Sequence, residues 1–186
     1  MLTIPRNAQY ESDLLKILAE AAKVCAEGLD VPFSKVCRYR EVENDLRIEV
    51  GHGWKDGVIG VVVRADETSP QGRAFGTGQP WICNDLRKDS TFELPSFYAA
   101  HGIVSTIDVL IKGKGKPYGV LEIDNNKQHD YDEQDINFLT GFANVLADAV
   151  ATSERTAALN VTIGEMKVLL DHKNVLAEEL QHRVRN

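Results

Sequence analysis

The chain has 186 residues, 43% of them apolar, and a formal charge of -7, so it can bury a sizeable core but has no basic surplus for gripping nucleic acid or an anionic membrane. No run approaches the roughly 18 apolar residues of a membrane span, and the start "MLTIPRNAQYESD" lacks the apolar centre of a secretory signal, so a cytoplasmic protein is expected. Cys25, Cys37 and Cys83 are odd in number and show no CxxC spacing, which predicts reduced, mostly buried thiols and no disulfide framework or zinc site.

In chain order, Ser12 is a plausible N-cap for a helix carrying Leu14, Ile17, Leu18, Ala21, Val24 and Cys25 on one stripe, with Gly28 as its stop. "SKVCRYR" and "DLRIEVGHG" then alternate as strands around the turn "EVEN" and predict an antiparallel hairpin. The stretch from Trp54 to Thr68 reads equally as a strand or as a loop over a pocket. "SPQGRAFGTGQ" predicts a short helix with Pro at its start and Gly at its end, followed by the strand "PWICND" and a loop with a small helix over about 86–101.

"VSTIDVLIKG" and "YGVLEIDNN" are the clearest strand pair. Ile107, Val109, Ile111, Leu121 and Ile123 share an apolar face, while Thr106, Asp108, Glu122 and Asp124 point the other way. The turn-rich "KGKGKP" between them suits antiparallel neighbours. From Asp132 the chain reads as helix. Leu139, Phe142, Ala143, Leu146, Ala149 and Val150 face a core. The stripe then narrows to Leu159, Ile163, Met166, Leu170, Ala177 and Leu180, the spacing of a coiled-coil seam, and predicts a parallel homodimer through this helix. A helix folded back on its own domain is the alternative.

The order helix, hairpin, helix, strand, loop, hairpin, long helix resembles the GAF domain, a small-molecule sensing and dimerisation module, from about 13 to 150. The resemblance is carried by a helix with small residues, a strand ending at Asp85, the entry Gly102, Ile103, Ser105 into the next strand, Gly119 to Leu121, and Asn126–Lys127 before "YDEQD". It implies an α+β fold with a central antiparallel sheet flanked by helices. Residues 1–12 would be an N-terminal segment, 13–150 the sensor domain and 151–186 a signalling helix. A PAS domain fits less well, because its sheet is not followed by this turn and helix.

The closing run "EELQHRVRN" resembles the phosphoacceptor box of histidine kinases of the HWE or HisKA_2 type, where a histidine is followed by Arg, an aliphatic residue, Lys or Arg, and Asn. His182 would be the acceptor, since a neutral imidazole nitrogen can attack the γ-phosphoryl of ATP and later pass the group to a response-regulator aspartate. ATP and Mg²⁺ are thereby implied for a full-length kinase. The sequence has no GxxxxGK[ST], so the chain by itself is expected to be inactive, the sensor half of a kinase cut at the start of its catalytic core. A stand-alone ligand-binding or dimerisation module is the competing reading.

No nucleophile with a base at catalytic spacing appears, so activity within the sensor unit is not expected, and neither is a cofactor. His52, His101 and His129 lack ligand spacing, so no metal is expected. Cys83 is followed by Asn84, whereas the bilin-binding relatives the resemblance brings in have Cys next to His. If the domain holds a small molecule, whose identity stays open, the resemblance puts the pocket under the loop and short helix. The polar sheet face then nominates Trp81, Asp85, Tyr98, His101, Thr106, Asp108 and Glu122.

Overall fold

The computed structural model describes residues 6–185. Helix α1 (Arg6–Gly28) buries Leu18, Ala22, Cys25 and Ala26 completely. It begins earlier than its capping signal suggested. Ser12 lies inside the helix and is no N-cap, because the added turns lie along the C-terminal helix, with Tyr10, Leu14 and Ile17 facing Ala149 and Thr152. Its end falls at Gly28 as expected, but the reversal beyond it is made by another residue. Asp30 adopts the left-handed conformation (φ 51°), Val31 N–H bonds Ala26 O at 3.0 Å and Asp30 N–H bonds Glu27 O at 3.3 Å, a Schellman reversal made without glycine. Gly28 serves packing instead, since a Cβ there would sit 2.6 Å from Cζ of Phe138.

Strands β1 (Phe33–Arg40) and β2 (Asp45–His52) form the expected hairpin, closed by a two-pronged Arg40–Asp45 pair with both bonds at 2.7 Å. Within the segment that read as strand or loop, Val62–Arg64 forms a short edge strand, β3, with only Val63 turned to the core. Helix α2 (Pro70–Thr77) has its expected signals: Ser69 Oγ accepts the Gly72 N–H, Pro70 opens the first turn, and Gly78 closes it at φ 67°. Strand β4 (Trp81–Cys83), a 3-10 turn at Leu86–Lys88 and helix α3 (Ser96–His101) lead to β5 (Ser105–Ile111) and β6 (Gly119–Asn125).

The sheet is antiparallel and six-stranded, in the order β3-β2-β1-β6-β5-β4. One face carries Val36, Ile107, Val109, Ile111, Leu121 and Ile123 against α1 and helix α4 (Glu133–Arg185), whose Leu139, Ala143, Leu146 and Val150 are buried there. The other face is just as enclosed. It holds a second core of Phe33, Cys37, Ile48, Phe97 and Val120 beneath α2 and α3. A strand buried on both faces has to hold polar side chains inside, and β5 and β6 do so at Thr106, Asp108, Glu122 and Asp124.

The start of α4 is fixed by Asp132, whose Oδ1 accepts the Gln134 and Asp135 N–H groups while Asp135 Oδ2 accepts the Asp132 N–H. The helix then runs unbroken for 53 residues. From Val161 to Val184 every residue is exposed, so this portion has left the domain. Asn186, the last residue of the phosphoacceptor-like run, lies outside the described residues. Among the described residues no helix is long and apolar enough to cross a membrane.

Candidate functional site

Alternation along β1 sends Phe33, Lys35 and Cys37 to the face beneath α3, so a lysine enters an otherwise apolar row. The β1–β6 register sets Lys35 opposite Glu122, and the β5–β6 register sets Asp108 opposite Glu122 and Thr106 opposite Asp124. Three carboxylates therefore share this face with one ammonium, two of them in contact with it, and all four side chains are completely buried.

Lys35 Nζ lies 2.7 Å from Glu122 Oε1 and 2.6 Å from Asp124 Oδ2, with the Tyr98 hydroxyl 3.3 Å away. Aromatic rings complete its surroundings, with ring centroids of Trp54, Tyr98 and Phe97 at 4.8, 4.9 and 5.7 Å. Tyr98, fully buried on α3, donates to Glu122 Oε1 at 2.5 Å and accepts from Gln71 Nε2 at 2.6 Å. Thr106 Oγ1 lies 3.2 Å from both Glu122 Oε1 and Asp108 Oδ2.

The electrostatics follow from burial set against this one cation. Burial would lower the Lys35 ammonium, but Asp124 and Glu122 outweigh it and hold its pKa above the usual lysine range. Burial would raise Glu122, but Lys35 and the hydrogen bonds from Asp124, Lys35 and Tyr98 keep its carboxyl below its ordinary value. Asp108 and Asp124 are pushed well up, first by burial and then by the Glu122 charge. Lys35 thus stands charged between Glu122 and Asp124, while burial disfavours the ionised forms of Asp108 and Asp124.

Of the side chains nominated from sequence, Tyr98, Thr106, Asp108 and Glu122 come together in this cluster. Trp81 stands beside Asp108 in strand register with its indole N–H buried and without an acceptor, its ring packed under the Arg73 guanidinium at 4.4 Å. Asp85 is elsewhere: it caps the 3-10 turn and pairs with Arg87 at 2.7 Å and Lys88 at 3.2 Å. His101 sits in the cover. Its Nδ1–H donates to Phe97 O at 2.7 Å, its Nε2 accepts the Lys55 N–H at 3.1 Å, and its ring meets Trp54 edge-on at 5.0 Å.

Sequence reasoning passed over Lys35, Gln71 and, as a site residue, Asp124. The signal for Lys35 was a lysine between Phe33 and Cys37 on a strand whose neighbours are all core-forming, a place where a cation needs partners. Solvent-open grooves lie elsewhere, one of about 460 Å³ beside β3 and Glu93 and one of about 350 Å³ between α1 and α4. The Cys25 thiol is pushed up to about 12 by burial, and Cys37 and Cys83 are raised for the same first reason, so none is an activated nucleophile. Among the described residues no cluster of His, Cys, Asp and Glu has a metal-holding arrangement.

This architecture, a curled antiparallel sheet with helices on both faces and a polar cluster beneath a short helix, is that of a small sensory module. The model of the GAF domain family matches residues 13–150, and the chain belongs to that family. Among solved structures it is similar to the GAF domain of a phosphoenolpyruvate-protein phosphotransferase from Coxiella burnetii, at 15% identity with TM-score 0.70, covering 82% of this chain and 94% of that one. It is also similar to residues 122 to 287 of a methyl-accepting chemotaxis protein, at 19% identity with TM-score 0.66, covering 81% and 97%. A third is the free methionine-R-sulfoxide reductase of Neisseria meningitidis in complex with its substrate, at 18% identity with TM-score 0.64, covering 84% and 96%. At these identities the likeness is one of fold. No curated protein sequence matches the chain significantly.

Proposed function

We propose that this chain is the sensory and transmitting part of a two-component histidine kinase, in which the GAF domain biases α4 and α4 carries the change to His182. The observation that supports this reading is α4 itself, one uninterrupted helix from Glu133 in the domain to Arg185 outside it, with His182 exposed near its end. A rigid element rooted in a sensor core and ending at a solvent-facing histidine can pass on a rotation or a shift of register. The composition of the run around His182 supplies the rest of the argument. The similar structures include part of a methyl-accepting chemotaxis protein and the GAF domain of a phosphotransferase, in keeping with a sensory role.

The projecting portion needs a partner for its apolar side chains. Leu159, Ile163, Met166, Leu170 and Leu180 stand 46 to 63% exposed along a seam with steps of four and three residues, interrupted at Lys173 and completed by Ala177 and Val184. A second copy, aligned in parallel, would cover them at roughly 1.5–3 kcal/mol for each large side chain before ordering costs. In that seam His182 falls two positions before Val184, on the outer side of the pair, where another domain could reach it. The double variant Leu159→Glu/Met166→Glu is expected to sediment as a monomer at concentrations where the parent is dimeric. Equal association of parent and variant would exclude this seam.

Phosphorylation tests the reading directly. Incubated with ATP and Mg²⁺, the 186-residue chain is expected to stay unlabelled, because it holds no nucleotide-binding motif. The intact kinase is expected to take up acid-labile, alkali-stable phosphate that His182→Gln abolishes and that a response regulator removes. Undiminished labelling of His182→Gln would refute the acceptor assignment. A gene that encodes no ATP-binding domain with this chain would leave a ligand-binding or dimerisation module.

A further inference from the structure

The coiled-coil spacing of α4 accounts for one face of its exposed portion and leaves another without a role. With the seam running through Leu159, Ile163, Met166 and Leu170, the positions seven residues apart at Val161, Val168, Val175 and His182 fall on the opposite side of the helix. The three valines are 50, 58 and 55% exposed, on the side where a two-stranded coil is polar. Valine is also a weak helix former, so nothing in α4 itself favours it there. Such a column needs a partner that the seam does not provide.

The rim of the column is acidic. The residues three and four positions from Val168 and Val175 include Glu165, Asp171, Glu178 and Glu179 and no lysine or arginine, while Lys167 and Lys173 lie toward the seam. A second copy laid on this face would set like charges against each other, and α4 carries the column away from its own domain. The face instead complements an apolar patch ringed by lysine and arginine. His182 closes the column about 10 Å beyond Val175 along the helix axis, so a domain seated on Val168 and Val175 has its edge at the histidine.

We infer that Val161, Val168 and Val175 form the docking track for the nucleotide-bearing domain that phosphorylates His182. The inference rests on the kinase reading and adds to it the surface along which ATP is delivered. A domain that holds a triphosphate gathers lysine and arginine around the phosphates, the charge that this rim attracts. A response regulator has to present an acceptor aspartate, a group that the rim repels. Seating on the valines supplies proximity and orientation, holding the γ-phosphoryl within reach of the imidazole nitrogen.

The test follows labelling of His182 in the intact protein with ATP and Mg²⁺. Val168→Glu/Val175→Glu is expected to take up phosphate roughly tenfold or more slowly at saturating ATP with the KM for ATP unchanged, because delivery and not nucleotide binding is impaired. Its sedimentation should match that of the parent, since the seam is untouched. Glu165→Lys/Asp171→Lys should slow labelling as well, and the parental rate should fall as ionic strength rises. Val168→Leu/Val175→Leu, which keeps the column apolar, retains most of the rate, and Val42→Glu, the same exchange at an exposed position between β1 and β2, leaves it unchanged. If Val168→Glu/Val175→Glu no longer dimerises, Glu165→Lys/Asp171→Lys carries the test. Parental labelling rates in these variants overturn the inference and leave the kinase reading standing. Normal labelling with slowed removal by a response regulator also overturns it, assigning the column to the regulator. An intact protein that takes no label at His182 overturns the reading and this inference with it.

Discussion

Replacing Lys35 by methionine is expected to remove about 3–5 kcal/mol of stability at neutral pH, because it leaves the Glu122 carboxylate buried without its cation while keeping much of the side-chain volume. For a domain of this size that is a fall in melting temperature of roughly 10 °C or more. The loss should depend on pH. Without Lys35, burial raises the Glu122 pKa in the folded state above its unfolded value. A carboxyl raised in this way costs nothing below the unfolded pKa of about 4.3, and the cost grows as pH rises through and above it. The deficit of Lys35→Met should thus shrink as pH falls toward about 4, and adding Glu122→Gln should restore much of it at neutral pH. Urea melts of the single and double variants from pH 4 to 8 check both statements. A Lys35→Met variant as stable as the parent at pH 7 would show that Glu122 is not held ionised by this lysine.

The same sign applies in the parent to Asp108 and Asp124. Both are raised in the folded state, chiefly by burial, so the native chain keeps protons that the unfolded chain releases above about pH 4. The parent should lose stability as pH rises from the unfolded carboxyl range toward the folded values. Tyr98 ties this cluster to α3, since its hydroxyl joins Gln71 on α2 to Glu122 on β6.

Much of the fold was legible because it rests on local alternation. The β1–β2 hairpin, the capped α2 and the β5–β6 pair each carry their own turn or capping residues, and the order of elements was enough to suggest the family. The misplaced signals have tertiary causes. Ser12 has the chemistry of an N-cap, but α1 is extended by its packing along α4; Gly28 does end the helix, with Phe138 packed against it and the left-handed turn made at Asp30. The site was half visible. Polar residues alternating on β5 and β6 announced Thr106, Asp108 and Glu122, since period two is a property of the strand itself. Lys35 and Gln71 come from distant segments, and only the β1–β6 register and the docking of α2 bring them to the same place. Asp85 was misleading in the opposite way, being a carboxylate at a strand end whose partners, Arg87 and Lys88, follow it at once in sequence.

Gly119→Val is expected to be the most disruptive single change outside the cluster. Gly119 opens β6 opposite Arg38, and a Cβ there would lie 1.8 Å from the Cys37 carbonyl oxygen and 2.9 Å from its carbonyl carbon, both backbone atoms that no rotamer change can clear. The strands would have to separate at this end of the β1–β6 ladder, three residues from the pairing that sets Lys35 against Glu122. A cost of about 3 kcal/mol or more is expected, from overpacking and from lost pairing in the buried centre of the sheet. Gly119→Ala should already show most of it, since the first added carbon makes the collision. Gly164→Ala is the contrast. That glycine lies in the exposed part of α4 with nothing within 4 Å of an added Cβ, so alanine there should be neutral or stabilising by about 0.5–1 kcal/mol. Thermal melts of the three variants, with amide exchange in β1 and β6, decide the matter. If Gly119→Ala melts within a degree or two of the parent and β6 keeps its protection, the close approach of β6 to β1 is not what holds the Lys35–Glu122 pair in register.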